Sequence, residues 1–384
     1  MTHGSRARVL IAHQSTIPHY RVPFYEALEV ERPPGWAFEV VFDLTELTTP
    51  RFFSEPLEPD RLTFPIRDTR TVGLRIGERR ISYQRFWRAA ASYDLVIVEH
   101  AVNNLAYPLV QLHQLRGTRV ALWGTGRDLG RTPVTHAKRV AEAAKLRLAR
   151  AADGYFAYTE GVRDYLVAQG LRRDRVWALG NTIDIVAQRE TLERHRPARG
   201  EVRRELGVDG KSVLLFVGRF RARKRVDLLL EAFSALRRRR PDVPLLLVGD
   251  GYEHLLDAGL PDGVTYLGIR LGDDLARLYV ASDLFVFPRA VGLGPLHAMC
   301  YDLPTVTIDG PGHGSEFEYL TPRNSVVLPS GSGAPELADA LDDLVGAPGR
   351  LNALRRSTWA SIHHLTIRRM ARNFVTGVDA ILRT

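Results

Sequence analysis

Twelve short runs rich in Val, Ile, Leu and Phe punctuate this chain, each separated from the next by loops or amphipathic stretches of helical period. That alternation constrains the fold more than any other feature. Strands predicted in the first half are Arg8–Ala12, Phe38–Phe42, Leu95–Val98, Arg119–Trp123, Gly154–Tyr158 and Val176–Leu179. In the second half they are Ser212–Val217, Pro244–Val248, Val264–Leu267, Leu284–Phe287, Thr305–Ile308 and Ser325–Leu328. Most are apolar at nearly every position, as strands covered on both faces must be. Helices alternating with such strands imply an α/β fold with open, doubly wound parallel sheets.

A length of 384 residues suits two domains. The stretch 188–210 is charged, poor in apolar residues and carries Pro197 and Gly200, so it is the expected boundary. The expected organisation is 1–187, a linker 188–210, a second domain 211–365, and a terminal helix 366–384. In that last segment Ile367, Met370, Ala371, Phe374, Val375, Val378, Ile381 and Leu382 form one apolar stripe. Such a stripe must dock, either on its own domain or back on the first.

Composition narrows the function. Hydrophobic residues are 45% and charged residues 25%, the balance of a soluble globular chain. A net charge of +9, carried by arginine, suits a phosphate-bearing substrate or an acidic membrane surface; a solvated basic surface explains it equally. The single Cys300 excludes disulfide frameworks and Cys-rich zinc modules. No apolar run approaches the roughly 20 residues of a membrane span, and the start lacks a signal-peptide core. The expected location is the cytoplasm, with the inner face of the membrane as the alternative.

Two constellations point to phosphate. In SVLLFVGRFRARKRVDLLLEAF a strand ends at Val217, and Arg219 and Lys224 follow near a helix start. Ligands of open α/β sheets lie beyond strand carboxyl ends, so this pair suits a diphosphate. Arg221 and Arg223 read better as solvated. In DLFVFPRAVGLGPLHAMCYDLP a Gly292–Leu293–Gly294 turn opens a helix with Pro295 at its start. Glycines there let an anion approach backbone N–H groups, and His297 lies one turn in.

Other features are weaker. Gly124, Gly126 and Gly130 imitate a dinucleotide fingerprint, but the spacing is GxGxxxG, and a glycine-lined cleft wall is the better reading. His13 and His19 follow the first strand, with Tyr20 and Arg21 as polar contacts to substrate or packing groups. Glu99 and His100 close another strand. Lys138–Arg150 is a basic amphipathic helix with the option of peripheral membrane contact. Nucleic-acid signatures, HExxH, GxSxG and Walker motifs are absent, and no His/Asp spacing predicts a protein-held metal.

In order along the chain, NTIDI, VGRFRARKRVDLLLEAF, LLLVGDGYE, VTYLG, DLARLYVASDLFVFP and LPTVTIDG resemble the retaining GT-B glycosyltransferases. The closer resemblance is to the large family of bacterial mannosyl-, glucosyl- and N-acetylglucosaminyltransferases. It implies two facing Rossmann-like domains, the acceptor on the first, an NDP-sugar (UDP-, GDP- or dTDP-linked) on the second, and the last helix returning to the first. It further implies that Arg219 and Lys224 bind the donor diphosphate and that Gly268 and Ile269 meet the nucleobase. His100 would lie near the transferred sugar, and His13 and Thr16 would line the cleft. One departure stands out. The family's paired glutamates, eight positions apart, are replaced by Arg289 and His297, the pattern of a divergent branch. Arg289 would then meet phosphate, His297 the ribose, and Glu316 or Glu318 would supply a displaced carboxylate.

The function implied is metal-independent sugar transfer from an NDP-sugar to a glycan, lipid-linked or natural-product hydroxyl, with retention and no further cofactor. Two alternatives stay open: inversion with His13 or His19 as base, and a catalytically silent GT-B partner subunit.

Overall fold

The computed structural model describes residues 7–14, 17–46, 58–76, 79–127, 136–251 and 259–384. Its described residues separate into two compact units. Unit 1 holds those from Ala7 to Asn181 together with Ile367–Thr384; unit 2 holds Thr182–Thr366.

Unit 1 is built on β1 (Ala7–Ala12), β2 (Trp36–Phe42), β3 (Ile66–Asp68), β4 (Thr71–Ile76), β5 (Arg79–Gln84), β6 (Leu95–Glu99), β7 (Arg119–Gly124), β8 (Gly154–Ala157) and β9 (Val176–Ala178). Seven of these form one parallel sheet in the order β3-β2-β1-β6-β7-β8-β9. Strands β4 and β5 form a separate antiparallel hairpin. Neither the hairpin nor β3 was expected from the sequence. β3 is only three residues long, and the hairpin, rich in arginine and half-exposed, lacks a continuous apolar run.

Unit 2 carries β10 (Leu214–Val217), β11 (Leu245–Val248), β12 (Val264–Gly268), β13 (Leu284–Val286), β14 (Thr305–Ile308) and β15 (Ser325–Leu328). They run parallel in the order β12-β11-β10-β13-β14-β15. All twelve expected strands are present, and both units are Rossmann-like α/β sheets. In each sheet the strand order reverses at one place: between β1 and β6 in unit 1, and between β10 and β13 in unit 2. Loops leaving the carboxyl ends of those pairs diverge to opposite faces and leave a crevice, the usual ligand position of such sheets.

The terminal helix Ile367–Arg383 belongs to unit 1. Ile367, Met370, Ala371, Phe374, Gly377, Val378 and Ile381 are its buried residues. Phe374 stacks on Phe156 at 4.6 Å and meets Phe24 and Trp123 edge-on or tilted. A Cβ on Gly377 would fall 2.5 Å from Phe156, so the missing side chain is what lets the helix lie flat on the sheet.

The charged stretch 188–210, read from sequence as a linker, is largely helical and anchored. Helices Ile185–His195 and Arg199–Glu205 lie within unit 2, and the chain passes between units at Asn181–Thr182. Arg199, Arg203 and Arg355 converge on the half-buried Asp283 at 2.7, 3.1 and 2.6 Å, and Val213 N–H donates to the same carboxylate. Low apolar content hid this packing, because one acid and three guanidiniums do here what a hydrophobic cluster does elsewhere.

Candidate functional site

The crevice of unit 2 opens at the ends of β10 and β13. After Val217 the chain turns at Gly218, whose N–H donates to Val248 O at 3.0 Å. A short 3-10 turn, Ala222–Lys224, then leads into the helix Val226–Arg239 through Arg225, a non-glycine residue at φ +54°. This turn folds Lys224 back over the strand end. Its ammonium lies 4.7 Å from the centre of the Phe287 ring, and a Cβ on Gly218 would fall 2.8 Å from Nζ. Among the described residues no carboxylate pairs with it. Burial, followed by the charges of Arg223, Arg221 and Arg219, pushes its pKa down to about 8. A half-buried cation held against an aromatic face and a glycine, with no carboxylate partner among the described residues, is chemically suited to an anion.

Phe287 joins this cation to the glycine turn. Its ring edge is 3.4 Å from the position of a Gly218 Cβ and 3.7 Å from that of a Gly294 Cβ. Lys224 and Gly294 therefore border one aromatic side chain from two loops. Gly292 has open space where a Cβ would stand. The helix Gly294–Cys300 is seven residues long with Pro295 in its first turn.

Arg219 meets the chain that follows β11. Its Nε lies 3.4 Å from Asp250 Oδ1, and its stem rests against Gly251. The underlying reason is a close approach of two backbones: a Cβ on Gly249 would lie 2.0 Å from Gly218 O. Phe220 N–H also donates to Asp250 O at 2.6 Å. The VGDG run that follows β11 thus sets where Arg219 points, a role the sequence reading did not draw. Arg219 and Lys224 leave one strand end together, and Lys224 shares the Phe287 ring with Gly294.

Gly268 ends β12 at φ +66°, accepts Gly249 N–H through its carbonyl, and has open space beside it; Ile269 is exposed. His297 is half-buried, edge-on to Tyr279 at 5.1 Å and Tyr301 at 5.9 Å. Burial pulls its pKa down to about 4, so its imidazole is neutral at physiological pH.

Arg289 is partly engaged by backbone. It donates to Asp309 O at 2.7 Å, because the turn before the glycines places it over the Asp309–Gly310 backbone. Glu318 is exposed, while its neighbour Glu316 is buried with Oε2 2.7 Å from where a Gly314 Cβ would stand, beside Val291 and Gly292. Of the two carboxylates suggested by the sequence, Glu316 is the one at the glycine turn. His313 ties this region together: Nε2–H donates to Ile308 O and Nδ1 accepts Val291 N–H.

In unit 1 the expected residues are mostly spent on structure. His100 Nε2 lies 3.0 Å from Lys145 O, which only accepts, so Nε2 carries the hydrogen and Nδ1 accepts from Tyr155 at 2.8 Å. Burial holds its pKa near 4. Neither nitrogen is left for a sugar, and the role carried over for His100 is not supported by this geometry. His13 is buried, stacked on Trp123 at 3.8 Å, and held well below its usual pKa by burial and by Arg21. Arg21 is itself fully buried, donates to Asn181 Oδ1 at 2.8 Å and lies over Trp123. His19 is exposed; Thr16 lies outside the described residues. Gly126 N–H donates to Tyr155 Oη, so that amide is not a phosphate donor, and Gly130 is also outside the described residues. Glu99, at the end of β6, has its carboxyl pushed up to about 7 by burial, against the pull of Lys145.

Two Rossmann-like parallel sheets with a terminal helix returned to the first define the GT-B class of fold. Solved structures agree at the level of fold. The HepE protein of Anabaena, crystallised with UDP and glucose, superposes with a TM-score of 0.67 at 15% identity over 98% of this chain and all of that one. A glycosyltransferase of Rickettsia africae gives 0.70 at 14% identity over 99% of both.

Residues 211–346 match the family described as "Glycosyl transferases group 1", bearing out the resemblance read from the motifs of unit 2. A GDP-mannose-dependent alpha-mannosyltransferase of Mycobacterium tuberculosis is 33% identical over 259 residues, 64% of this chain and 60% of that protein. A D-inositol 3-phosphate glycosyltransferase of Rhodococcus erythropolis is 33% identical over 192 residues, 45% of this chain and 42% of that one. Both alignments span less than two thirds of the relative's own length. No helix among the described residues is long and apolar enough to cross a membrane.

Proposed function

We propose that this chain transfers a sugar from an NDP-sugar to an acceptor hydroxyl with retention at the anomeric carbon, without a protein-held metal. The observation that carries the reading is Lys224, a half-buried ammonium with no carboxylate among the described residues, at the reversal point of the unit 2 sheet. As the anomeric C–O bond breaks, its electron pair collects on the β-phosphate oxygen. A cation already desolvated beside that oxygen stabilises the charge where it develops and needs no reorganisation. Arg219, fixed by Asp250, closes the strand-end side of the same diphosphate, and Gly292–Gly294 lets it approach the backbone. The departing phosphate oxygen takes the acceptor's proton as the new C–O bond forms on the same face, so no separate base is required. The neutral imidazole of His297, between two tyrosines, can hydrogen-bond a ribose hydroxyl.

A relative named as GDP-mannose-dependent, and a fold neighbour crystallised with UDP and glucose, support a nucleotide-sugar donor. UDP-, GDP- and dTDP-sugars remain the panel to test. A retaining mechanism fits the buried, neutral His13, which is not exposed to take a proton from an acceptor; His19 is the acceptor-side residue that stays accessible. The test is turnover of that panel by the purified chain, followed by proton NMR of the product's anomeric coupling. A retained anomer is expected. An inverted anomer overturns retention, and no turnover or binding with any donor overturns the enzyme reading.

A further inference from the structure

Unit 1 carries an apolar ridge that the transfer chemistry does not use. The segment from Leu105 to Leu115 begins as an α-helix, Ala106–Val110, and tightens to a 3-10 helix over Gln111–Arg116. Its leucines follow the change of pitch. Leu105 and Leu109 are four apart in the α-helical part, and Leu112 and Leu115 are three apart in the 3-10 part, the spacing that keeps side chains on one face of each helix. That face points to solvent: the four are 47%, 41%, 52% and 88% exposed. The opposite face, with Ala106, Tyr107, Val110 and His113, is buried and anchored by Trp87, whose carbonyl bonds His113 Nε2 and whose indole N–H donates to Leu109 O.

The surroundings of the ridge are cationic. From Ala101 to Arg119 there is no Asp or Glu. Gln111 and Gln114 bond Leu148 O and Ala151 O, bringing the helix His136–Ala151 alongside with exposed Arg139, Arg147 and Arg150. The acid of that helix, Glu142, is paired with Lys145 at 2.9 Å. Asp153 nearby is held inward by Val120 N–H and Gln114. On the other flank, Leu105 N–H donates to Ser82 O of the β4–β5 hairpin, whose Leu74 is 65% exposed.

We propose that this ridge docks unit 1 onto an anionic lipid surface. Leucines standing out singly, Leu115 almost entirely so, would each need a matching pocket on a protein partner. A bilayer accepts them without shape complementarity, to a depth of roughly 5–10 Å, while flanking arginines meet the headgroups. The inference is independent of the transfer reaction.

The experiment is sedimentation of the full chain with vesicles of phosphatidylcholine, alone or mixed with phosphatidylglycerol, with no sugar nucleotide present. Several-fold more protein is expected to pellet with the mixed vesicles. High salt, Arg116→Glu with Arg147→Glu, and Leu112→Asp with Leu115→Asp should each reduce it. Because those side chains are exposed, the melting temperatures of the variants should match that of the unaltered chain, which separates lost docking from misfolding. Equal pelleting with both vesicle types, or unchanged pelleting of the leucine variant, overturns the proposal. So does a concentration-dependent dimer in light scattering that Leu115→Asp disperses while vesicle binding is absent.

Discussion

Lys224 and Phe287 come from loops on neighbouring strands, and the ammonium of one rests 4.7 Å above the ring of the other. The contact compensates part of the cost of burying a charge and leaves its N–H donors for an incoming anion. Lys224→Ala is expected to lower kcat by about 10²- to 10³-fold, the range for losing one preorganised donor. Lys224→Met should do the same, so steady-state kinetics of the two variants separates charge from bulk. Full activity in either removes Lys224 from the site.

The same lysine predicts a pH signature. Anion binding favours its charged form, so NDP affinity should fall as pH rises past about 8. Stability should move oppositely. The unfolded lysine binds its proton up to its ordinary pKa, so the unfolded state holds more protons between about 8 and that value, and the ligand-free fold gains stability with rising pH there. Calorimetry of the unaltered chain against Lys224→Met isolates this gain, and its absence shows that Lys224 is not desolvated.

Two glycines should separate binding from folding. A Cβ on Gly218 meets the flexible end of Lys224 at 2.8 Å, whereas one on Gly249 meets the Gly218 carbonyl at 2.0 Å. Gly218→Ala should displace the ammonium and weaken NDP binding about tenfold, roughly 1.4 kcal/mol, with a modest loss of Tm. Gly249→Ala should lower Tm sharply, because backbone cannot step aside. Nucleotide titration and thermal melts of both variants check the contrast.

At Asp283, burial alone would raise the carboxyl pKa, but the Val213 N–H and the guanidiniums of Arg199, Arg355 and Arg203 outweigh it and hold it low. Its contribution is fully present above the usual carboxylate pKa and disappears as pH falls through the depressed native value. Asp283→Asn should cost about 3–5 kcal/mol, as expected when one member of a buried ionic cluster is removed. Urea unfolding measures this, and the gap between the two proteins should narrow in acid.

His297→Ala should weaken NDP binding roughly fivefold, about 1 kcal/mol for one lost hydrogen bond. Because its pKa lies near 4, donor affinity should show no histidine step between pH 5 and 7. Isothermal titration across that range tests both statements, and a step near pH 6.5 that vanishes in the variant contradicts the buried placement.

The strands were legible because a buried parallel strand must be apolar at nearly every position, and the terminal helix because its stripe has one period throughout. The seven-residue helix start at Gly294 and the basic run at Arg219–Arg225 could be found for a similar reason, since glycine and clustered cations have few other uses at a strand end. The hairpin β4–β5 and the packing of 188–210 left no such trace. The hairpin has no continuous apolar run, and the 188–210 stretch is held by arginines such as Arg199 and Arg203, whose partner Asp283 lies far along the chain.

Local chemistry along the chain, then, was enough to read two α/β units and a terminal helix that must dock; its place on unit 1 was implied by the resemblance and seen only in the fold. What each cation of the strand-end loops packs against was decided only in three dimensions. Asp250 pairs with Arg219, Phe287 and Gly218 receive Lys224, and Arg289 donates to Asp309 O. The partner that orients a charged side chain is set by strand order and backbone approach, and neither quantity is written in the residues next to it. The same holds for His100 and His13, whose nitrogens and rings are claimed by Tyr155, Lys145 and Trp123 once the sheet has closed.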